Sequence, residues 1–462
     1  MQVIDRRINE ALCKDNLMSA DADTLMKPFA RITLMSIFDR QIFERRTSMC
    51  KTAFTGGLLI DGTGAAAVKN SLVLVGNGKI IYAGPARDIP EGEGYDVVDI
   101  TGKTIIPGLV DAHLHFSGNL TENDNDWVLE DNIQKAVVAV QQAHECLESG
   151  LTTVGEISRF GIHIRNMVEA GVMKGPRIVA TGLGFCATAG HGDSHRLSIE
   201  QNLAAHPWAE CVDSPWDLRK AVRRRIRENP DAIKIWATGG GIWRWEAGMD
   251  AHYTMEEIQA VSDECKMRGI PLWSHCFGDA SNSVKAGSDF IIHGWELNDE
   301  TIDMMAEKNI MLCPTISFLP AWFNTYPPAY KPELHDRFPG ETVTEKELNR
   351  IYDNLKKAFS KGVLLTIGSD SFNSKITPYG DTAIGEICEF VSKAGLSEMD
   401  TIVAATLNGA KALRVDDVTG SLEAGKSADL LVINGNPLED ITAIAVENMD
   451  VIMKEGEFVR RS

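Results

Sequence analysis

From residue 51 onward the chain follows two hydrophobic rhythms in turn. The runs AFTGGLLIDGTG, SLVLVGNGKIIYAGP and YDVVDITGKTIIPG alternate apolar with polar residues. Gly-Thr-Gly, Asn-Gly and Thr-Gly-Lys turns interrupt them, the signature of short β-strands. The same pattern returns at the far end in GSLEAGKSADLLVINGNP and MDVIMKEGEFV. Two β blocks flanking a long middle predict a small sheet domain assembled from both ends of the chain.

Between them, short apolar runs alternate with helical stretches. The strand candidates are IIPGLVDAHLHF, LTTVGEIS, PRIVATG, DAIKIWAT, IPLWSHC, DFIIHGW, IMLCPTISF and VLLTIGSD. The helical candidates include NIQKAVVAVQQAHECLESG, SPWDLRKAVRRRIREN, TMEEIQAVSDECKMRG and EKELNRIYDNLKKAFSKG. Their apolar residues recur every three or four positions, and several end at Gly. Eight strands alternating with helices predict an α/β protein built on a (β/α)8 TIM barrel. A doubly wound open sheet competes, but it usually has fewer strands. The expected organisation is an N-terminal extension over 1–48, a β-sandwich part over 49–107, the barrel over 108–415 and the second sandwich part over 416–462. No function is assigned to 1–48. The segment Leu319 to Glu341 is rich in Pro and aromatic residues and follows the seventh strand candidate. In a barrel it lies over the active-site mouth, either as a lid or as a packed surface excursion.

Composition narrows the partners. The 462 residues carry 46 Lys+Arg against 65 Asp+Glu, a formal net charge of −19. Nucleic acid and anionic membrane surfaces select basic patches, so neither is expected, and no basic stripe stands out. Nine cysteines, an odd number with no CxxC, read as reduced thiols. The apolar runs are too short to span a bilayer, and MQVIDRRINEALCKDN lacks the apolar core of a secretory signal. A cytoplasmic location is expected.

The candidate chemistry sits at strand ends. Asp111, His113 and His115 end the first candidate, and the two histidines are two apart, hence on one face. Lys234 ends the fourth, His275 the fifth, His293 the sixth and Asp370 the eighth. Each alone is ordinary: a single strand-end His is more often a hydrogen-bonded core residue than a ligand. Together they fall at the same end of five strands, where a barrel gathers its chemistry. Burying so many polar groups without a shared partner is costly, and a metal ion removes that cost. Imidazole and carboxylate ligands suit Zn²⁺ and neighbouring divalent ions.

On PGLVDAHLHF, IKIWATGGG, WSHCFG, IIHGWE, TIGSDS and LEAGKSADLLVINGNPLED, the chain resembles the amidohydrolase superfamily of metal-dependent hydrolases over about 51–462. The resemblance implies one or two divalent ions, zinc first, with Co²⁺, Mn²⁺ or Fe²⁺ as alternatives. It assigns His113 and His115 to the more buried ion and His275 and His293 to the other. Lys234, free or N-carboxylated, bridges them, and Asp370 ligates and shuttles protons. It also implies a homo-oligomer. TAGHGD (188–193) and KIWATGGG are similar to the imidazolonepropionase-like branch, which includes Xaa-Pro dipeptidases, ochratoxin amidases, and phenylurea and molinate hydrolases. By that analogy His191 reaches the substrate and polarises its carbonyl; the alternative is that it merely stabilises its Gly-rich loop.

One departure bears on substrate. Some branch members acting on amino-acid conjugates carry a second His two residues after the strand-five ligand; here that residue is Phe277. Six of nine Trp fall between 236 and 322. Trp236, Trp243, Phe277, Trp295 and Trp322 are the candidate pocket lining, fitted to an apolar or aryl small molecule. Arg244 is either a carboxylate clamp or a solvated charge. The expected reaction is hydrolysis of a C–N bond in an amide, urea or carbamate. A bound ion brings the pKa of water to near neutral, giving hydroxide. Asp370 takes the proton and passes it to the leaving nitrogen, with Asp111 and Glu156 bracing the imidazoles. The alternatives are an Xaa-Pro-type dipeptidase or carboxypeptidase, an N-acyl amino acid amidase and, more remotely, a non-catalytic assembly protein on the same fold.

Overall fold

A computed structural model describes residues 51–121, 129–195, 197–240, 250–318 and 345–462. The extension 1–48, Trp243, Arg244, Trp322 and the whole of the 319–341 loop lie outside the described residues.

The sheet that joins both ends of the chain is present. Leu430–Ile433 pairs antiparallel with Thr104–Pro107 on one side and with Met449–Lys454 on the other. Glu457–Arg461 and Leu58–Leu59 complete five strands. A four-stranded sheet in the order Lys79–Pro85, Ser71–Gly76, Thr52–Thr55, Asp96–Asp99 comes from the N-terminal block alone. The period-two pattern explains their packing. Phe54, Val73, Val75 and Ile80 of the four-stranded sheet share one buried cluster with Ile105, Leu430, Val432, Val451 and Met453 of the other.

The middle of the chain forms parallel strands with helices between them. Leu109–Leu114, Leu151–Glu156 and Arg177–Ala180 make one sheet. Ala209–Cys211, Gly184–Cys186, Ile233–Trp236, Leu272–Cys276, Phe290–His293 and Met311–Cys313 make another, in that order. Both faces of these strands are buried, as parallel sheets require. Trp236, Trp273, Phe290, Ile292 and Cys313 fall in one cluster with Val110 and Ala112. The alternate residues Ile233, Ile235, Leu272, Ile291 and Leu312 pack with the helix residues Leu218, Val222, Ile258 and Ile302. The helices start and stop where the sequence marks them. Thr254 and Glu257 form a capping box before Met255–Arg268, and Gly269 ends that helix in the left-handed conformation at φ 66°.

Three features differ from the sequence reading. The eighth strand candidate is not a continuous strand. It makes one parallel bridge, Leu365 to Leu312, and bonds in both directions. Leu312 N donates to Leu364 O, while Ala112 N donates to Ile367 O and Asp370 N to His113 O, all within 3.0 Å. The segment therefore lies between the two parallel sheets and links them. Two three-residue strands, Gly184–Cys186 and Ala209–Cys211, fall in stretches too short to show periodicity. A basic stripe also exists: Arg219, Lys220, Arg223, Arg224 and Arg227 of helix Pro215–Arg227 line one groove with Trp216. Arg219 and Arg223 pair with Glu264, and Arg224 with Glu210, so much of its charge is locally neutralised. No helix among the described residues is long and apolar enough to cross a membrane.

Candidate metal centre

The strand-end residues converge. Asp370 Oδ1 lies 3.1 Å from Nε2 of His113 and 3.1 Å from Nε2 of His115. These three buried residues offer ligand atoms within 4.8 Å of one another. Backbone geometry aims them. Asp370 sits at φ 51°, His293 at φ 75° and Thr315 at φ 50°, a region that residues with a Cβ enter at a cost. Gly368 lets the segment carrying Asp370 approach, because a Cβ there would stand 2.2 Å from Cys313 Sγ and 3.0 Å from His113 Cβ. Asp111 ties the same two segments: its Oδ1 accepts from His113 N at 3.0 Å and Ser369 N at 3.1 Å. Burial pushes the Asp111 carboxyl up to about 7. Glu156, also raised to about 7 by burial, accepts from Phe116 N at 3.0 Å and holds the turn after His115.

The hydrogen bonds orient two rings. His115 Nδ1 donates to the Ile157 carbonyl at 2.7 Å, which turns its Nε2 toward Asp370 Oδ1 at 3.1 Å. Thr315 Oγ1 donates its one proton to Pro314 O at 2.8 Å. It therefore accepts from His293 Nδ1 at 2.6 Å, leaving a lone pair on His293 Nε2. That atom lies 3.0 Å from His275 Nδ1.

Burial dominates the electrostatics. It holds His275 and His293 well below the ordinary histidine range and lowers His113 to about 3, so these imidazoles are neutral. Burial works to raise the Asp370 pKa, but its His113 and His115 contacts win and hold it well below the usual carboxylate range. Lys234 is lowered to about 7 by burial, and its Nζ is buried with no hydrogen-bond partner among the described residues. The ionised Asp370 oxygen therefore lies 3.1 Å from the Nε2 atoms of both His113 and His115. A divalent cation neutralises that arrangement, and N,N,O donors of this kind suit zinc and its neighbours. The residues present fit a metal ion.

His191 joins the group from the loop after Gly184–Cys186. Its ring stacks on that of His275, with centroids 4.6 Å apart and planes 29° apart. Its backbone N donates to His252 Nδ1 at 3.3 Å, and a Cβ on Gly240 would stand 2.1 Å from its ring. Of the pocket candidates, Phe277 and Trp295 stack at 4.0 Å behind His275 and His293. Trp236 lies 6.3 Å from His275. All three are at most 5% exposed.

Sequence reasoning missed Thr315 and Trp208. The Trp208 ring lies 5.1 Å from that of His115. Thr315 follows a Pro directly after an apolar strand, a faint signal; Trp208 precedes a strand of only three residues and gave none.

The family model described as "Amidohydrolase family" matches residues 104–459. An ochratoxinase from Aspergillus niger is 27% identical over 420 residues, covering 84% of this chain and 82% of that protein. A crystal structure of A. niger ochratoxinase superposes with a TM-score of 0.78 at 23% identity over 89% of this chain and 96% of that one. A Xaa-Pro dipeptidase structure with methionine in its active site aligns at 29% identity and a TM-score of 0.74, covering 89% of this chain and all of that one. Phenylurea hydrolase B shares the fold at 20% identity and a TM-score of 0.72, over 89% and 97%. These neighbours imply a TIM-barrel-like fold with α/β content.

Proposed function

This chain belongs to the amidohydrolase family, an enzyme family with homologues acting on C–N bonds, and from that premise we propose that it hydrolyses the C–N bond of an amide, urea or carbamate in a hydrophobic, aryl-bearing small molecule. The reading places the reaction at the mouth of a (β/α)8 barrel of about 108–415, beside a β-sandwich drawn from 49–107 and 416–462. The carrying observation is the Asp370 carboxylate set 3.1 Å from two histidine Nε2 atoms.

His113, His115 and Asp370 would hold one divalent ion, and His275 and His293 a second, with Lys234, N-carboxylated or not, between them. Such an ion supplies positive charge that polarises a carbonyl and eases ionisation of water. Asp370 moves the proton. Its side chain keeps 11% of its surface exposed, and its lowered pKa keeps it ionised and ready to accept. It then delivers that proton to the leaving nitrogen. His191, held against His275, turns an N–H to the carbonyl oxygen. Phe277 stands where a carboxylate-binding His would favour an amino-acid conjugate, and its ring packs on the ligand histidines instead. That contact supports an apolar substrate.

The similarity to the Xaa-Pro dipeptidase structure at 29% identity supports the second reading, a metallo-dipeptidase. A panel of an aryl urea, an N-acyl aromatic amino acid and an Xaa-Pro dipeptide separates them, with the metal content of the protein measured alongside. Hydrolysis of the aryl urea alone supports the first reading. Cleavage of the dipeptide alone sinks it.

A further inference from the structure

We propose that Cys186 and Cys211 are a redox site: a hydroperoxide joins them in a reversible disulfide, and closure loosens the loop that carries His191. Neither thiol takes part in the hydrolase reading above, so the linkage can be tested whatever becomes of that reading. The strands Gly184–Cys186 and Ala209–Cys211 run parallel and set the two cysteines directly opposite each other. Their Sγ atoms lie 3.7 Å apart. Opposed residues on neighbouring strands fall within the Cα range of a disulfide, and the sulfurs must close to about 2.05 Å. The movement belongs to Cys211. Ala209–Cys211 is the three-residue edge strand of its sheet, whereas Gly184–Cys186 is paired on both sides. A disulfide formed by displacing a strand is strained, and strained disulfides are the more readily reduced.

Both sulfurs are built into the anchors of that loop. Gly192 packs on Cys186: a Cβ there would stand 3.0 Å from its Sγ. Asn202 Nδ2 donates to Cys211 Sγ at 3.6 Å and to Asp193 Oδ1 at 2.5 Å. Asp193 Oδ2 in turn accepts from Ala189 N at 2.8 Å. Two residues beyond Cys211, Asp213 accepts from Thr188 N at 2.9 Å and from Thr188 Oγ1 at 2.6 Å. A shift of Cys211 therefore pulls on both ends of 188–193. The surroundings set the order of reaction. Cys186 is fully buried, and its contact with Cys211 together with burial holds its thiol well above the ordinary range. Cys211 is partly exposed and reacts first. Its sulfur, having lost its proton to water, attacks one peroxide oxygen. The O–O bond breaks, the sulfenic acid forms, and the other oxygen leaves as hydroxide and takes up a proton. The Cys186 sulfur then attacks the sulfenic sulfur. The S–O bond breaks, and the departing hydroxide takes the Cys186 proton to leave as water. The two thiols lose two electrons in all, and hydrogen peroxide is reduced to two waters.

The test exposes the full chain to hydrogen peroxide, alkylates the remaining thiols in denaturant and maps the peptides by mass. A linked Cys186–Cys211 peptide should appear, two of the nine thiols should be lost to alkylation, and dithiothreitol should restore both. Cys186→Ser removes the second thiol, so dimedone should trap Cys211 as its sulfenic acid. Cys211→Ser should leave Cys186 unreacted. Hydrogen exchange reads the loop. The amides of Ala189 and Asp193 are hydrogen-bonded to Asp193 Oδ2 and Gly190 O. After peroxide they should exchange about tenfold faster, the scale of one lost hydrogen bond, and recover with dithiothreitol. The Cys211→Ser chain should show no such response. A folded wild type in which Cys186 and Cys211 stay unlinked under peroxide overturns the site, as does a linkage of either to another cysteine. Linkage with unchanged exchange overturns the coupling to the His191 loop.

Discussion

Thr315 Oγ1 accepts the Nδ1 proton of His293 at 2.6 Å because its own proton is committed to the Pro314 carbonyl. The bond fixes which imidazole nitrogen faces His275. Partners of this kind typically contribute about 10–100-fold to metal affinity. Thr315→Val keeps the branched shape and deletes the acceptor, so zinc or cobalt retention against a chelator should fall by about that factor. Thr315→Ser should restore it. Equal retention by Val and Thr would show that the tautomer is set by something else.

Asp370 touches both His113 and His115 through one oxygen, which leaves the other for a proton. Asp370→Asn keeps the shape but cannot accept that proton. Turnover of any substrate the panel identifies should drop about 10²–10⁴-fold. Metal content should be largely spared, since the histidines remain. The check is steady-state kinetics beside metal analysis, and full activity in the Asn variant would end the proposed mechanism.

The role of His191 is separable from the metal. A Cβ on Gly240 would stand 2.1 Å from its ring, so Gly240→Ala must push the imidazole off His275. Activity should fall while metal stoichiometry and the thermal midpoint change little. If kcat/KM is unaffected, His191 does no more than support its loop.

Much of this centre is legible in the chain because each ligand candidate is a polar residue ending an apolar run, a pattern that survives without contacts. Lys234 after Ile233 and His275 after Trp273 and Ser274 need no partner to look unusual. The positions of Thr315 and Trp208 depend on residues 22 and 93 positions away, His293 and His115, and no local rhythm records such pairs. The link through 364–371 shows a different limit. Its apolar run predicts a strand, but its hydrogen bonds are shared between two sheets, so no single ladder forms. The helix Pro215–Arg227 shows a third. The basic residues are visible in DLRKAVRRRIR, but their alignment along one groove beside Glu210 and Glu264 emerges only from helix packing.

Arg177 and Asp429 connect the parallel strands to the sheet built from the chain ends. Nη1 meets Oδ2 at 2.6 Å, and Thr419 Oγ1 donates to the same oxygen at 2.8 Å. Asp429 Oδ1 accepts from Ser427 Oγ and from Glu455 N, so every lone-pair direction of a fully buried carboxylate is used. Burial works to raise its pKa from 3.8, but Arg177 and these donors overcome it and hold the folded value lower. A folded pKa below the unfolded one means the stabilisation is fully present above about 4 and is lost as pH falls through the folded value. Asp429→Asn leaves Arg177, only 17% exposed, with the half-exposed Glu455 as its remaining carboxylate partner. At pH 7 the variant should be less stable by about 3 kcal/mol, the low end of the cost of breaking a buried pair from one side. Urea denaturation at pH 7 and pH 4 should give the same gap between variant and wild type, and at pH 3 the gap should narrow as the wild-type carboxylate takes up its proton. A gap that stays constant down to pH 3 would assign the loss to packing rather than to charge.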